Sequence, residues 1–151
     1  MVDLIALTNA HVDAFRRIPE LVAALGGDPN AIQPYIDVNP EKNSTAAAVY
    51  QMPPGSILVI WQETLFAEGD MEAWMHRVQT FIRARRGDSA LTLINLLVNG
   101  VPEPGDGQRW RYCPLMDGVL PSQITEISRL EDSEGVNYYA VTTATNESGD
   151  A

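Results

Sequence analysis

The sequence predicts an α+β domain, on three observations. A helical stripe opens the chain, apolar β-branched runs come in two pairs, and the order helix, strand pair, helices, strand pair segregates strands from helices instead of alternating them. That order points to an antiparallel or mixed sheet of about four strands, flanked by an N-terminal and a central helix, rather than a doubly wound parallel sheet. With 151 residues, 45% of them apolar, the chain is long enough to bury about 68–70% of its unfolded surface around one core. One domain over residues 1–145 and a flexible polar tail at 146–151 are expected.

Leu4, Leu7, Val12, Phe15 and Ile18 fall on one stripe, with Arg16 and Arg17 off it, which gives an amphipathic N-terminal helix. Pro19 either kinks this helix or opens a second segment carrying Leu21, Val22 and Leu25, and Gly26-Gly27 stops it. A short helical turn over 29–35 follows. Residues 45–52 and 56–62 are apolar runs divided by Pro53-Pro54-Gly55 and read as a β-hairpin. The second run, Ile57 to Trp61, is continuously apolar, as in a central strand covered on both faces. Asp70 and Glu72 suit the start of a central helix over 70–86, in which Trp74, Val78, Phe81 and Ile82 share a stripe and pack across the sheet. Arg83, Arg85 and Arg86 suit its negative end, and Gly87 closes it. Residues 90–98 fit a buried strand by their leucines, but the Asp88-Ser89 cap and the Asn99-Gly100 stop favour helix. Residues 101–117 form a glycine- and proline-rich excursion, and 122–130 with 136–145 form a last hairpin about Asp132-Ser133-Glu134-Gly135.

Ten basic against twenty acidic residues give a net charge of -10, the wrong sign for gripping nucleic acid or anionic lipid through the overall field. No apolar run of membrane-spanning length escapes a break by proline, and the first residues lack the basic region of a secretory signal, so a reducing compartment is expected. The sequons at Asn43 and Asn146 carry no weight there. His11 and His76 lack a second strong ligand at helical spacing, and Glu72 with His76 reads as a solvated surface pair. Cys113 has no local base and reads as a small buried thiol. No nucleophile elbow or phosphate loop occurs, so neither catalytic residues nor cofactor or metal ligands are assigned. Two features point outward instead. Arg83, Arg85 and Arg86 form either a solvated, dipole-matched helix end or a patch that meets an acidic surface on another subunit, such as the turn at Asp132 and Glu134. Trp110 and Tyr112 form either a lid over the core or an anchor for a partner.

The run Met52-Pro-Pro-Gly-Ser-Ile-Leu-Val-Ile-Trp-Gln62, followed by Trp74-Met-His-Arg-Val-Gln-Thr-Phe-Ile-Arg83, resembles the tail-terminator (tail-completion) proteins of long-tailed bacteriophages. Those are small α+β proteins, and the likeness spans residues 4–143 in element order and aromatic placement. It implies a non-enzymatic virion protein, assembled in the host cytoplasm, that closes as a homomeric ring, commonly a hexamer, on the finished tail tube. Such a ring stops tube growth, meets the tail tube and neck or connector proteins, and lets DNA pass without specific binding or any membrane contact. A head-completion or connector subunit stays open as an alternative, as does a small-ligand-binding or enzymatic cytoplasmic domain.

Overall fold

The structure is a computed structural model describing residues 1–36, 45–67, 73–100, 111–131 and 137–148. Its elements are α1 (Leu4–Arg16), α2 (Pro19–Ala24), a 3-10 turn (Pro29–Ala31), β1 (Ile32–Pro34), α3 (Thr45–Tyr50), β2 (Ser56–Ala67), β3 (Ala73–Arg83), α4 (Ala90–Gly100), β4 (Arg111–Tyr112), β5 (Ser122–Glu131) and β6 (Asn137–Asn146). The six strands form one mixed sheet in the order β1-β2-β3-β6-β5-β4. β1 runs parallel to β2, and every other pairing is antiparallel. The α+β class holds, with six strands in place of about four.

The N-terminal helices follow from local signals. The Asp3 carboxylate accepts from the Ala6 amide at 2.9 Å and caps α1. Pro19 opens α2 at its first turn, where a missing N–H costs nothing, and Gly26 and Gly27 end it with φ of 96° and 82°. α4 lies where the Ser89 cap and the Asn99-Gly100 stop place it.

Three elements differ from expectation. The helical turn expected over 29–35 stops at Ala31, and Ile32–Pro34 is β1, paired parallel with β2. Residues 70–86 do not form a helix: Ala73–Arg83 is β3, an interior strand held by β2 on one side and β6 on the other. Trp74, Val78 and Ile82 satisfy a helical stripe, but Trp74, His76, Val78, Thr80 and Ile82 equally alternate, and the Val, Thr, Phe and Ile content suits a pleated surface. Phe81 therefore packs on the opposite face from Val78 and Ile82. Nor do residues 45–52 pair with β2. Thr45–Tyr50 is helical, as its run of three alanines favours, and β2 takes β1 and β3 as neighbours, so β3 and β6 hold the centre of the sheet.

The sheet is covered on both sides. One face packs Ile57, Val59, Val78, Ile82 and Val141 against Leu7, Phe15 and Ile18 from the N-terminal segment and Leu93 and Leu97 from α4. The other packs Ile60, Phe81, Tyr138 and Ala140 against Met52 and Val49. β6 runs on through Asn146, and Glu147 bridges to Val119, so regular structure continues past residue 145, where a free tail was expected.

Ile82, fully buried between β2 and β6, sets a stability test. Ile82→Ala should cost ~2–5 kcal/mol through lost burial and the cavity left behind, whereas Leu91→Ala, on the exposed side of α4, should stay within ~0.5 kcal/mol. Urea unfolding of the two variants checks the contrast.

Candidate functional site

The arginine cluster lies where β3 ends and the chain turns into α4. Because the element is a strand, these residues do not sit at a negative helix end, and each is placed by its own contacts. Arg83 Nη1 donates to the Met52 carbonyl, and its guanidinium lies 5.7 Å from the centre of the Tyr138 ring. Arg85 Nε donates to Asp88 at 3.1 Å, and its Nη2 donates to the Ala24 carbonyl at 3.3 Å. Its stem crosses Gly55, where φ is 76° and a Cβ would fall 2.6 Å from Arg85 Cγ, so a glycine is needed on both counts. Arg86 is exposed and makes no side-chain hydrogen bond or ion pair among the described residues. The three arginines open on one cleft of about 620 Å³, completed by Pro54, Ser89 and Tyr139. Asp88 shares that cleft, but its pair with Arg85 is half exposed on both sides and contributes little. The cleft can receive carboxylates or other oxyanions.

Tyr112 does not serve as a surface anchor. It is fully buried, and its hydroxyl meets His11 Nδ1 and the side chains of Ser122 and Thr143, so the β4 strand is tied at once to α1, β5 and β6. Its ring packs edge-on to His11 at 5.4 Å and tilted against Phe15 at 5.5 Å. Burial pushes the Tyr112 hydroxyl well above the usual tyrosine range. Burial likewise holds His11 down at about 3, so the imidazole is neutral at physiological pH, and its Nε2 has no hydrogen-bond partner among the described residues. Beside this group, the hydroxyls of Ser122 and Thr145 bond to each other. Cys113, next in sequence, is exposed and is not the buried thiol expected, because the strand ends at Tyr112, which turns inward, and the following residue faces out.

His76 is also buried and is not a surface residue. Placed on β3, it faces Thr64 across the strand pair, whose Oγ1 lies 2.8 Å from Nδ1, while Nε2 lies 2.8 Å from Glu147 Oε2. The Trp61 indole donates to Thr64 at 3.0 Å, and the Val2 amide donates to Glu147 at 2.9 Å. Hydroxyl, imidazole and carboxylate thus stand in series, an order that can relay a proton. Here the series also fixes β2, β3, the end of β6 and the start of α1 to one another. Period-two alternation through Trp74, His76 and Val78 was the signal for this side chain's inward direction. Glu72, Trp110, Asp132 and Glu134 lie outside the described residues. Among the described residues no three His, Cys, Asp or Glu side chains are grouped to hold a metal ion, and no helix is long and apolar enough to cross a membrane. No protein-family model matches the chain, and no curated protein matches it.

The buried imidazole makes stability depend on pH. The folded state excludes the proton that the unfolded chain takes up below about 6.5, so between pH 6.5 and about 3 the unfolded state binds more protons, and stability falls as pH falls through that window. From pH 7 to pH 4 this one group should cost about 3 kcal/mol. His11→Leu should flatten the acid limb of the stability curve by that amount in urea melts run across pH. An acid limb unchanged in the variant would mean that His11 is protonated equally in both states.

Proposed function

We propose that the chain is a structural subunit of a long-tailed bacteriophage, a tail terminator that closes as a ring on the finished tail tube, stops its growth and forms the face at which the head joins. The arginine cleft carries this reading. On a chain of net charge -10, three of the nine arginines open on one cleft, and Arg86 there has no partner among the described residues, so each copy bears a patch complementary to the acidic surface of another. A contact of unlike patches is heterologous and closes as a ring when the rotation between copies allows it, here most simply a hexamer. The resemblance of Met52 to Gln62 and Trp74 to Arg83 to tail terminators supplies the tube, the neck and connector proteins as further partners, and the virion as the location. An acidic ring also repels DNA phosphates, which suits a passage through which a genome slides without being held. The role needs no catalytic group, cofactor or metal.

Arg83 and Arg85 are committed to neighbouring backbone, so the charge test belongs to Arg86. Arg86→Glu should leave folding stability within ~0.5 kcal/mol, since the residue is exposed, while producing overlong or headless tails in an assembly assay. Tails of normal length joined to heads would overturn the arginine contact. Absence of the wild-type protein from purified particles would overturn the virion role.

A further inference from the structure

The arginine cleft holds more positive charge than its own carboxylate balances. Among the described residues that line it, Arg83, Arg85 and Arg86 stand against Asp88 alone, which leaves two positive charges in a space of about 620 Å³. Two of the three cations are fixed in advance. Arg83 is half-buried, held by the Met52 carbonyl and the Tyr138 ring, and makes no other hydrogen bond among the described residues, so its remaining N–H groups stay available. Arg85 is held by the Ala24 carbonyl and Asp88, with its stem laid over Gly55. Arg86 is the cation with no partner among the described residues. The Ser89 hydroxyl accepts from the Thr92 amide at 3.4 Å and keeps its own proton to give. These donors come from the end of β3, from the turn after it and from the residue before α4, around one space. The rest of the lining differs in kind, because Pro54, Leu91 and the half-buried Tyr139 offer apolar surface.

We propose that this cleft binds a small phosphomonoester, with the phosphate against the arginines and the organic part against Pro54, Leu91 and Tyr139. Charge selects the phosphate. A phosphomonoester loses its second proton near pH ~6, so above neutrality it brings two negative charges to the two positive ones, where a carboxylate brings one. The donor arrangement agrees, since three terminal oxygens point in three directions, whereas a carboxylate offers two oxygens in one plane. Guanidinium N–H groups give phosphate oxygens charge-assisted hydrogen bonds, often in pairs, and the two guanidiniums already held need little further ordering. The volume lies within the ~300–1,000 Å³ of small-molecule sites, so an organic group has room beside the phosphate. A nucleic-acid backbone carries similar phosphates but must approach a chain of net charge -10, which favours the small free ester. An occupied cleft has no spare charge, so the ester and the acidic surface of a neighbouring copy exclude each other there; this consequence alone rests on the ring reading above.

Isothermal titration of the full chain with phenyl phosphate, above pH 7 and at low salt, tests the site. One phenyl phosphate should bind per chain, with benzoate about tenfold weaker or more, since it lacks the second charge and the third oxygen. Arg86→Gln should weaken phenyl phosphate about tenfold, while Arg17→Gln, at an exposed arginine outside the cleft, should leave its affinity unchanged. Equal losses from the two substitutions would reduce the binding to diffuse attraction and overturn the site. Benzoate binding as tightly as phenyl phosphate, or no saturable binding of phenyl phosphate, would also overturn it. Inorganic phosphate binding as tightly as phenyl phosphate would overturn the role given to Pro54, Leu91 and Tyr139. No binding of phenyl phosphate together with overlong tails from Arg86→Glu would overturn the ester site and leave the ring reading standing. Binding together with normal tails from Arg86→Glu would overturn the arginine contact between copies and leave the ester site standing.

Discussion

The structure depends on β3 being an interior strand. Bound by β2 and β6, it has no free edge, and its residues must face a core on both sides. Val78 and Ile82 answer to α1, α2 and α4, while Phe81 answers to Met52 and the segment that carries α3. Removing water from both faces of one strand is what lets a short chain cover a six-stranded sheet, and it fixes the register: a slip of one residue would exchange the two sets of side chains.

Around that strand the buried polar groups act as ties between segments distant in sequence. His11 and Tyr112 join the first helix to a two-residue strand that could not hold a place in the sheet by two backbone pairings alone. Thr64, His76 and Glu147 join the β2–β3 pair to the end of β6 and, through the Val2 amide, to the start of the chain. Buried polar side chains normally have partners because desolvation without one costs more than the bond returns. The Thr64–His76–Glu147 group is paired at both ring nitrogens, whereas His11 Nε2 is left without a partner among the described residues.

On the surface, charged and apolar side chains are interleaved: exposed Ile127 and Leu130 stand among Glu126 and Arg129. The net charge is -10, and the arginine cleft is a local exception to that acidity. At the sheet edge Pro34 has no N–H to give, the Arg16 guanidinium occupies the Ile32 carbonyl, and a β-bulge between Trp61 and Glu63 breaks the register of β2 with β3.

The sequence by itself determined the elements whose signals are local. α1, α2 and α4 have caps, a first-turn proline or glycine stops within a few residues of their ends, β5 and β6 lie on either side of a turn-forming sequence, and segregation of helices from strands set the α+β class. Only tertiary structure decided the rest. Trp74 to Arg83 fits periods of 3.6 and of 2 equally well over ten residues, and pairing with β2 and β6 chose between them. The alanines of α3 competed with strand propensity from Val49 and Tyr50, and the choice followed once β1 and β3 had taken both sides of β2. Tyr112 and Cys113 are adjacent in one glycine- and proline-rich segment, and the two-residue pairing with β5 sent the tyrosine inward to His11 and left the thiol outside. The three arginines were legible as a cluster. Their individual roles were not, because the carbonyls of Met52 and Ala24 and the ring of Tyr138 come from segments that only folding brings to the end of β3.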